Sequence, residues 1–153
     1  TALVGLTADK IELKDIELEE LKKHLEMIWQ GRDDIFLTVE NGSIRGDKDM
    51  LVMLITNLCD NAKKAGATRI EVNITGREIS VKDNGRGISK EDMKHIFEIF
   101  YQGDASRNQE GFGLGLALCQ RIAELHHSKL CVESCLQEGS IFSLQFSYNS
   151  LMT

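Results

Sequence analysis

The amino-acid sequence predicts an α+β fold: a two-layer sandwich with a mixed, mostly antiparallel sheet and about three helices packed on one face. Two observations carry this. Alternating and helix-periodic segments interleave in the order β-α-β-α-β-β-α-loop-α-β-β. Each helical segment has one apolar stripe and needs one covering surface, while the strand pairs are joined by short turn signals, as in hairpins that keep one face wet.

"KIELKDIEL" alternates with the period of a strand. "LEELKKHLEMIW" then sets Leu18, Leu21, Leu25 and Ile28 on one helical stripe. "IFLTVE" is a short strand. "GDKDMLVMLITNLCDNAKKAG" reads as a long helix with Asp47 as its N-cap and Gly66 just past its end. "TRIEVNI" and "REISVK" are strands separated by Thr75 and Gly76, a hairpin signal. Ser89, with Asp92 three residues later, makes a capping box for a helix over "KEDMKHIFEIF". The loop "QGDASRNQEGFG" is the one long irregular stretch of the predicted domain, and such loops are candidate lids. A helix, "LGLALCQRIAELHH", and a hairpin turning at Glu138 and Gly139 complete the order. The expected domain runs from 10 to 148, with 1–9 as a linker or the end of a preceding helix and 149–153 as a tail. A first residue of Thr rather than Met implies a piece of something longer.

The 153 residues suffice for one domain with its own core. A net charge of −6 argues against a partner made of nucleic-acid backbone, which needs a clustered positive surface. It leaves room for a pocket that takes one nucleotide. No run approaches the roughly 18 apolar residues of a membrane span, so this chain is not expected to contact a membrane directly. Cys59, Cys119, Cys131 and Cys135 have neither zinc-site spacing nor disulfide density, and are expected as buried, reduced thiols. His126 and His127 diverge by about 100° on a helix and cannot share a metal.

Three stretches can carry chemistry. On the long helix, Asn57, Asn61 and Lys64 follow one stripe beside the apolar face of Leu51, Leu54, Leu58, Ala62 and Ala65. Asn is a weak helix former, so two of them mid-helix ask for a reason. An amide oxygen can ligate Mg²⁺ and a nearby lysine can meet a phosphate, against the plainer reading of a solvated edge. In "REISVKDNGRGIS", Ile79, Val81 and Asp83 share the inward face of a strand. A buried carboxylate costs several kcal/mol unless donors reach it. Asp83 therefore either caps its own turn or waits for a ligand donor such as an exocyclic amine, with Gly85 and Gly87 letting backbone approach a flat ring. In "GFGLGLAL", Gly111, Gly113 and Gly115 open a helix whose N–H groups attract phosphate, or else form a hinge for the loop before it.

Taken together, the chain resembles the ATP-binding catalytic domain of sensor histidine kinases, in the gyrase, chaperone, kinase and MutL ATPase superfamily. The resemblance runs from about Lys10 to Phe146. "NLCDNAKKAG" is similar to the asparagine box, "DNGRGIS" and "GFGLGLAL" to the two glycine boxes, and "IFEIFYQGD" to the phenylalanine box. "EGSIF" is similar to the closing strand. The resemblance implies ATP and Mg²⁺ as ligands and a mobile ATP lid between Phe97 and Phe100 at one end and Gly111, Gly113 and Gly115 at the other. Asp83 would accept from the adenine amine, with Gly85, Gly87, Ile88 and Ser140 around the base. Asn61 would bind Mg²⁺, Asn57 would support it, and Lys64 would reach a phosphate. Tyr101, Leu114 and Leu116 would complete the nucleotide contacts.

In the hydrolytic branches of that superfamily a glutamate stands at the position of Asn57, and an amide cannot replace it as general base. The implied role is presenting the γ-phosphoryl to a histidine on a separate dimerisation hairpin, absent here, with a response regulator downstream. The family further implies a monomeric fragment in the cytoplasm, or in the cytoplasmic part of a membrane-anchored sensor. The chain departs from the family at Ala65, where an aromatic is frequent, and at Ile99 and Gln102, where arginines are frequent. Those departures favour the alternative of a degenerate nucleotide-sensing or docking module; Asn57, Asn61, Asp83 and the lid glycines oppose it.

Overall fold

The computed structural model describes residues 11–98 and 115–147. Strand β1 (Lys14–Glu17) leads into helix α1 (Leu18–Ile28), then β2 (Ile35–Val39), β3 (Ser43–Gly46) and the long helix α2 (Lys48–Lys64). β4 (Ile70–Ile74) and β5 (Glu78–Asp83) follow, then a single helical turn, α3 (Lys90–Met93). Helix α4 (Gly115–Leu125), β6 (Ser128–Cys135) and β7 (Gly139–Phe146) complete the described chain.

Five strands form one sheet in the order β2-β4-β5-β7-β6. Only β2 and β4 pair in parallel; the other neighbours are antiparallel. The period of two puts Val72, Ile79, Val81 and Leu144 on a buried inner face, while Asn73, Lys82 and Gln145 are exposed on the other. Helices α1, α2 and α4 cover the inner face with Leu21, Leu25, Leu51, Leu54 and Leu116, all fully buried. Each such side chain contributes about 1.5–3 kcal/mol relative to its exposed state. The expected sandwich is the observed one.

Helix α2 begins as its sequence dictates. Asp47 is extended, and its carboxylate accepts from the Met50 N–H at 2.9 Å. Such a cap stabilises by about 1 kcal/mol. Behind it, buried His126 bridges two elements: Nδ1 donates to the Ile122 carbonyl at 2.8 Å and Nε2 accepts from the Asp47 N–H at 3.0 Å. The imidazole fits because Gly46 has no side chain; a Cβ there would sit 2.8 Å from the ring. The end of α4 is thereby fastened to the start of α2.

Four details differ from the sequence expectations, the first being Ile28, which is exposed while the following Trp29 is buried. β3 was not expected; it pairs with β1 as a separate two-stranded sheet, with Ile44 opposite Ile16 and both buried. The helix after Ser89 stops at Met93, because the next bonds, His95 N–H to Asp92 O and Glu98 N–H to His95 O, span three residues instead of four. Finally, Cys59 and Cys119 are buried thiols, but Cys135 is exposed and Cys131 half-buried. Leu130 and Val132 turn inward from β6, so Cys131 and Cys135 face the uncovered side of the sheet.

Candidate functional site

The turn after β5 is held on three sides. Asp83 accepts from the Gly85 N–H at 2.8 Å, closing the turn on itself. Asn84 accepts from the N–H groups of Thr68 and Arg69 and donates to the Thr68 hydroxyl, tying the turn to the start of β4. The Arg86 N–H donates to the Ala65 carbonyl, and the Arg86 carbonyl accepts from Gln137 N–H. The chain is thus clamped between the end of α2 and the β6–β7 hairpin.

The glycines are explained by these approaches. A Cβ on Gly85 would lie 2.8 Å from the Ala65 carbonyl oxygen. Gly87 has φ +74°, and a Cβ would come within 2.1 Å of the Cys135 carbonyl oxygen. Gly139, at φ +117°, would meet the Asp83 carbonyl at 2.0 Å. The need for Gly87 therefore comes first from backbone packing, where the sequence reading had assigned it to room for a ring.

A narrow cavity opens between the end of α2 and this turn. Its floor is apolar, formed by Leu58, Ala62, Val81 and Phe142; its polar wall holds Asn61, Asp83 and Ser140. Ala65, Arg86, Gly87, Ile88 and Asp92 surround the mouth. Asp83 stands directly across the β5–β7 ladder from Ser140, and Ser140 across the β7–β6 ladder from Ser134. Burial pushes the Asp83 carboxyl above the usual carboxylate range, while the N–H groups of Gly85 and Ser140 pull it back down.

Ser134 did not figure in the sequence reading, although its signal was there: Leu130, Val132 and Ser134 share one strand face. It decides what Ser140 can do. The Ser134 hydroxyl accepts from the Ile88 N–H at 2.8 Å and donates its one proton to the Gly139 carbonyl at 3.0 Å. The Ser134–Ser140 contact at 2.7 Å must then use the Ser140 proton. Ser140 Oγ is left as an acceptor beside the Asp83 carboxylate. The wall asks for a donor.

Asn61 is 9 % exposed, and its Nδ2 has no hydrogen-bond partner among the described residues. A Cβ built on Gly115 would lie 3.9 Å from Asn57 Oδ1 and 4.0 Å from the Asn61 amide, so the start of α4 abuts both asparagines. Asn57 is half-buried and outside the cavity lining; Lys64 is exposed, with no partner among the described residues. Its neighbour Lys63 is committed to buried Asp34 at 3.2 Å, beside Arg32 at 2.8 Å. Leu116 packs in the core instead of lining the cavity. Tyr101, Gly111, Gly113 and Leu114, with Ile99, Phe100 and Gln102, lie outside the described residues.

Residues 46–150 match the family described as histidine kinase-, DNA gyrase B- and HSP90-like ATPases. The chain belongs to this ATPase family. It is similar to sensor histidine kinase YkoH of Bacillus subtilis, 34 % identical over 150 residues, covering 90 % of this chain and 33 % of that protein. Sensor histidine kinase RppB of Synechocystis is 34 % identical over 143 residues, covering 87 % of this chain and 32 % of its own length. The ATPase domain thus spans about a third of the curated relatives it matches. Among solved structures, the mycobacterial sensor histidine kinase MprB superposes with a TM-score of 0.68 at 26 % identity, over 88 % of this chain and 95 % of that one. Full-length ShkA, solved in complex with AMPPNP, gives 0.73 at 25 % identity, over 95 % and 34 %.

Proposed function

We propose that this chain is the catalytic domain of a sensor histidine kinase, which binds Mg²⁺·ATP and presents the γ-phosphoryl to a histidine on a separate dimerisation hairpin. The observation that carries the reading is the pair of acceptors, Asp83 and Ser140, beside the apolar floor of a cavity whose wall also holds Asn61. An adenine fits this arrangement: its amino group supplies the donor and its ring covers Leu58, Ala62 and Phe142. A guanine would turn a carbonyl toward the carboxylate. The likeness to kinases, one solved with an ATP analogue, supports the same ligand.

Mg²⁺ fits the donor set. Asn61 stands in the cavity wall, where its side-chain oxygen could ligate the ion, and Mg²⁺ characteristically takes few protein oxygens while keeping water and phosphate ligands. When bound, the ion would neutralise charge on the phosphates. Asn57 and the start of α4 flank that end of the site, and the Lys64 ammonium, with no partner among the described residues, lies on the same helix edge. No carboxylate stands at Asn57 to activate water, so hydrolysis is slow and the γ-phosphoryl waits for an acceptor. Phosphoryl transfer asks the protein mainly to position groups and neutralise charge, which this site can do.

The histidine-bearing hairpin and the response regulator are partners of the parent kinase, and this chain acts on the cytoplasmic side. No helix among the described residues is long and apolar enough to cross a membrane. The test is transfer of labelled γ-phosphate from ATP to the parent's purified hairpin. The expected product is acid-labile phosphohistidine, formed with this chain and absent with Asp83→Asn. Rapid ATP hydrolysis by the chain alone, with no labelled hairpin, would refute the reading.

A further inference from the structure

Arg86 is half-buried at the mouth of the cavity, and its side chain is not needed to hold the turn. Its backbone already does that, through the Ala65 carbonyl and Gln137 N–H. The guanidinium donates once, to the Lys64 carbonyl at 2.9 Å, and has no ion pair among the described residues. Its other N–H groups have no partner among the described residues, although Asp83 and Asp92 line the same cavity.

The anchor decides which end of the ligand Arg86 meets. Helix α2 passes the cavity with Asn61 in the lining, Asn57 one turn before it and the C-cap Ala65 one turn after it. At about 1.5 Å per residue, the Lys64 carbonyl stands about 10 Å beyond Asn57. Asn57 and Asn61 abut the start of α4, so the phosphate end is there. Ala65 lies at the opposite end, where a Cβ on Gly85 would touch both Ala65 and the Asp83 carboxylate. A guanidinium fixed to Lys64 is therefore at the base end, and the Ala65 methyl beside it is too short to cover a ring.

We propose that Arg86 is a base-contacting residue: its guanidinium, held on the Lys64 carbonyl, lies against one face of the bound purine. This rests on the nucleotide reading of the cavity. An arginine suits the position because its planar cation stacks on aromatic faces, whereas an ammonium presents only a point charge. The two competing roles are a helix C-cap for α2 and a counter-charge for phosphate.

The experiment is a heteronuclear NMR titration of the chain with adenosine and with Mg²⁺·ADP, for wild type, Arg86→Ala and Arg86→Lys, with melting temperatures alongside. The expected result is a loss on the order of tenfold for both ligands in Arg86→Ala, equal for the two because the contact is to the base. Arg86→Lys keeps a donor for the Lys64 carbonyl, so it folds with a near-normal melting temperature yet does not recover the affinity. A loss confined to ADP would overturn the proposal in favour of a phosphate contact. Unchanged affinity in folded Arg86→Ala, or full recovery in Arg86→Lys, would overturn it in favour of a cap. If wild type bound neither ligand, the nucleotide reading itself would fall, a result distinct from any pattern among the variants.

Discussion

Gly87 shows most sharply how single residues are constrained here. Its positive φ and its contact with the Cys135 carbonyl leave no room for a side chain, and neither atom at fault can move without its strand. Gly87→Ala should destabilise the domain by at least about 2 kcal/mol, read as a lower urea midpoint. A midpoint unchanged from wild type would show that the hairpin and the turn are not locked together. Asp83 was legible from its sequence because Ile79 and Val81 fix the parity of the strand. The chemistry of Ser140 was not, since its role as an acceptor depends on where the Ser134 proton goes, and that is a matter of three-dimensional partners. On the proposed reading these acceptors also set selectivity. GDP should bind at least about tenfold more weakly than ADP, because its ring carbonyl would face a carboxylate that needs a donor. Competition calorimetry with the two nucleotides measures this directly.

At the scale of elements, helix α2 is the frame of the site, and its start depends on His126. The neutral ring is the form that both donates at Nδ1 and accepts at Nε2. Burial lowers the His126 pKa, against the Ile122 carbonyl and Asp47, which raise it, and with His127 adding to the lowering. The unfolded chain takes up this proton first, at about pH 6.5. The stability owed to His126 is therefore complete above that pH and is lost as pH falls through the lower folded value. Melting temperature should be flat from about pH 8 to 7 and decline below 6.5, and the decline should shrink in His126→Gln. An equal decline in the variant would assign the loss to other groups. The sequence marked α2 well, through its cap, periodicity and closing glycine. It did not mark β3, whose four residues carry one apolar side chain and whose partner β1 lies across a helix and a strand. Nor did it show α3 ending early: burial of Ile96 satisfies the apolar pattern without a second helical turn.

For the molecule as a whole, the arrangement separates two tasks. The inner face of the sheet and three helices make the core, while the strand ends at Asp83, Ser140 and Ser134 and the end of α2 make the slot. The sandwich was readable because interleaved periodicities admit few layer architectures. The apolar floor and Arg86 at the mouth were not readable as site residues, because Leu58, Val81 and Phe142 look the same in a sequence whether they meet a ligand or another side chain. The central claim is that Asp83 receives an adenine and Asn61 its metal-bound phosphates. Calorimetric titration with Mg²⁺·ADP of wild type, Asp83→Asn and Asn61→Ala tests it most directly. The expected result is binding on the order of micromolar for wild type, abolished in Asp83→Asn, and reduced in Asn61→Ala to the level wild type shows without Mg²⁺. No heat of binding from folded wild type, or full affinity in folded Asp83→Asn, would contradict it.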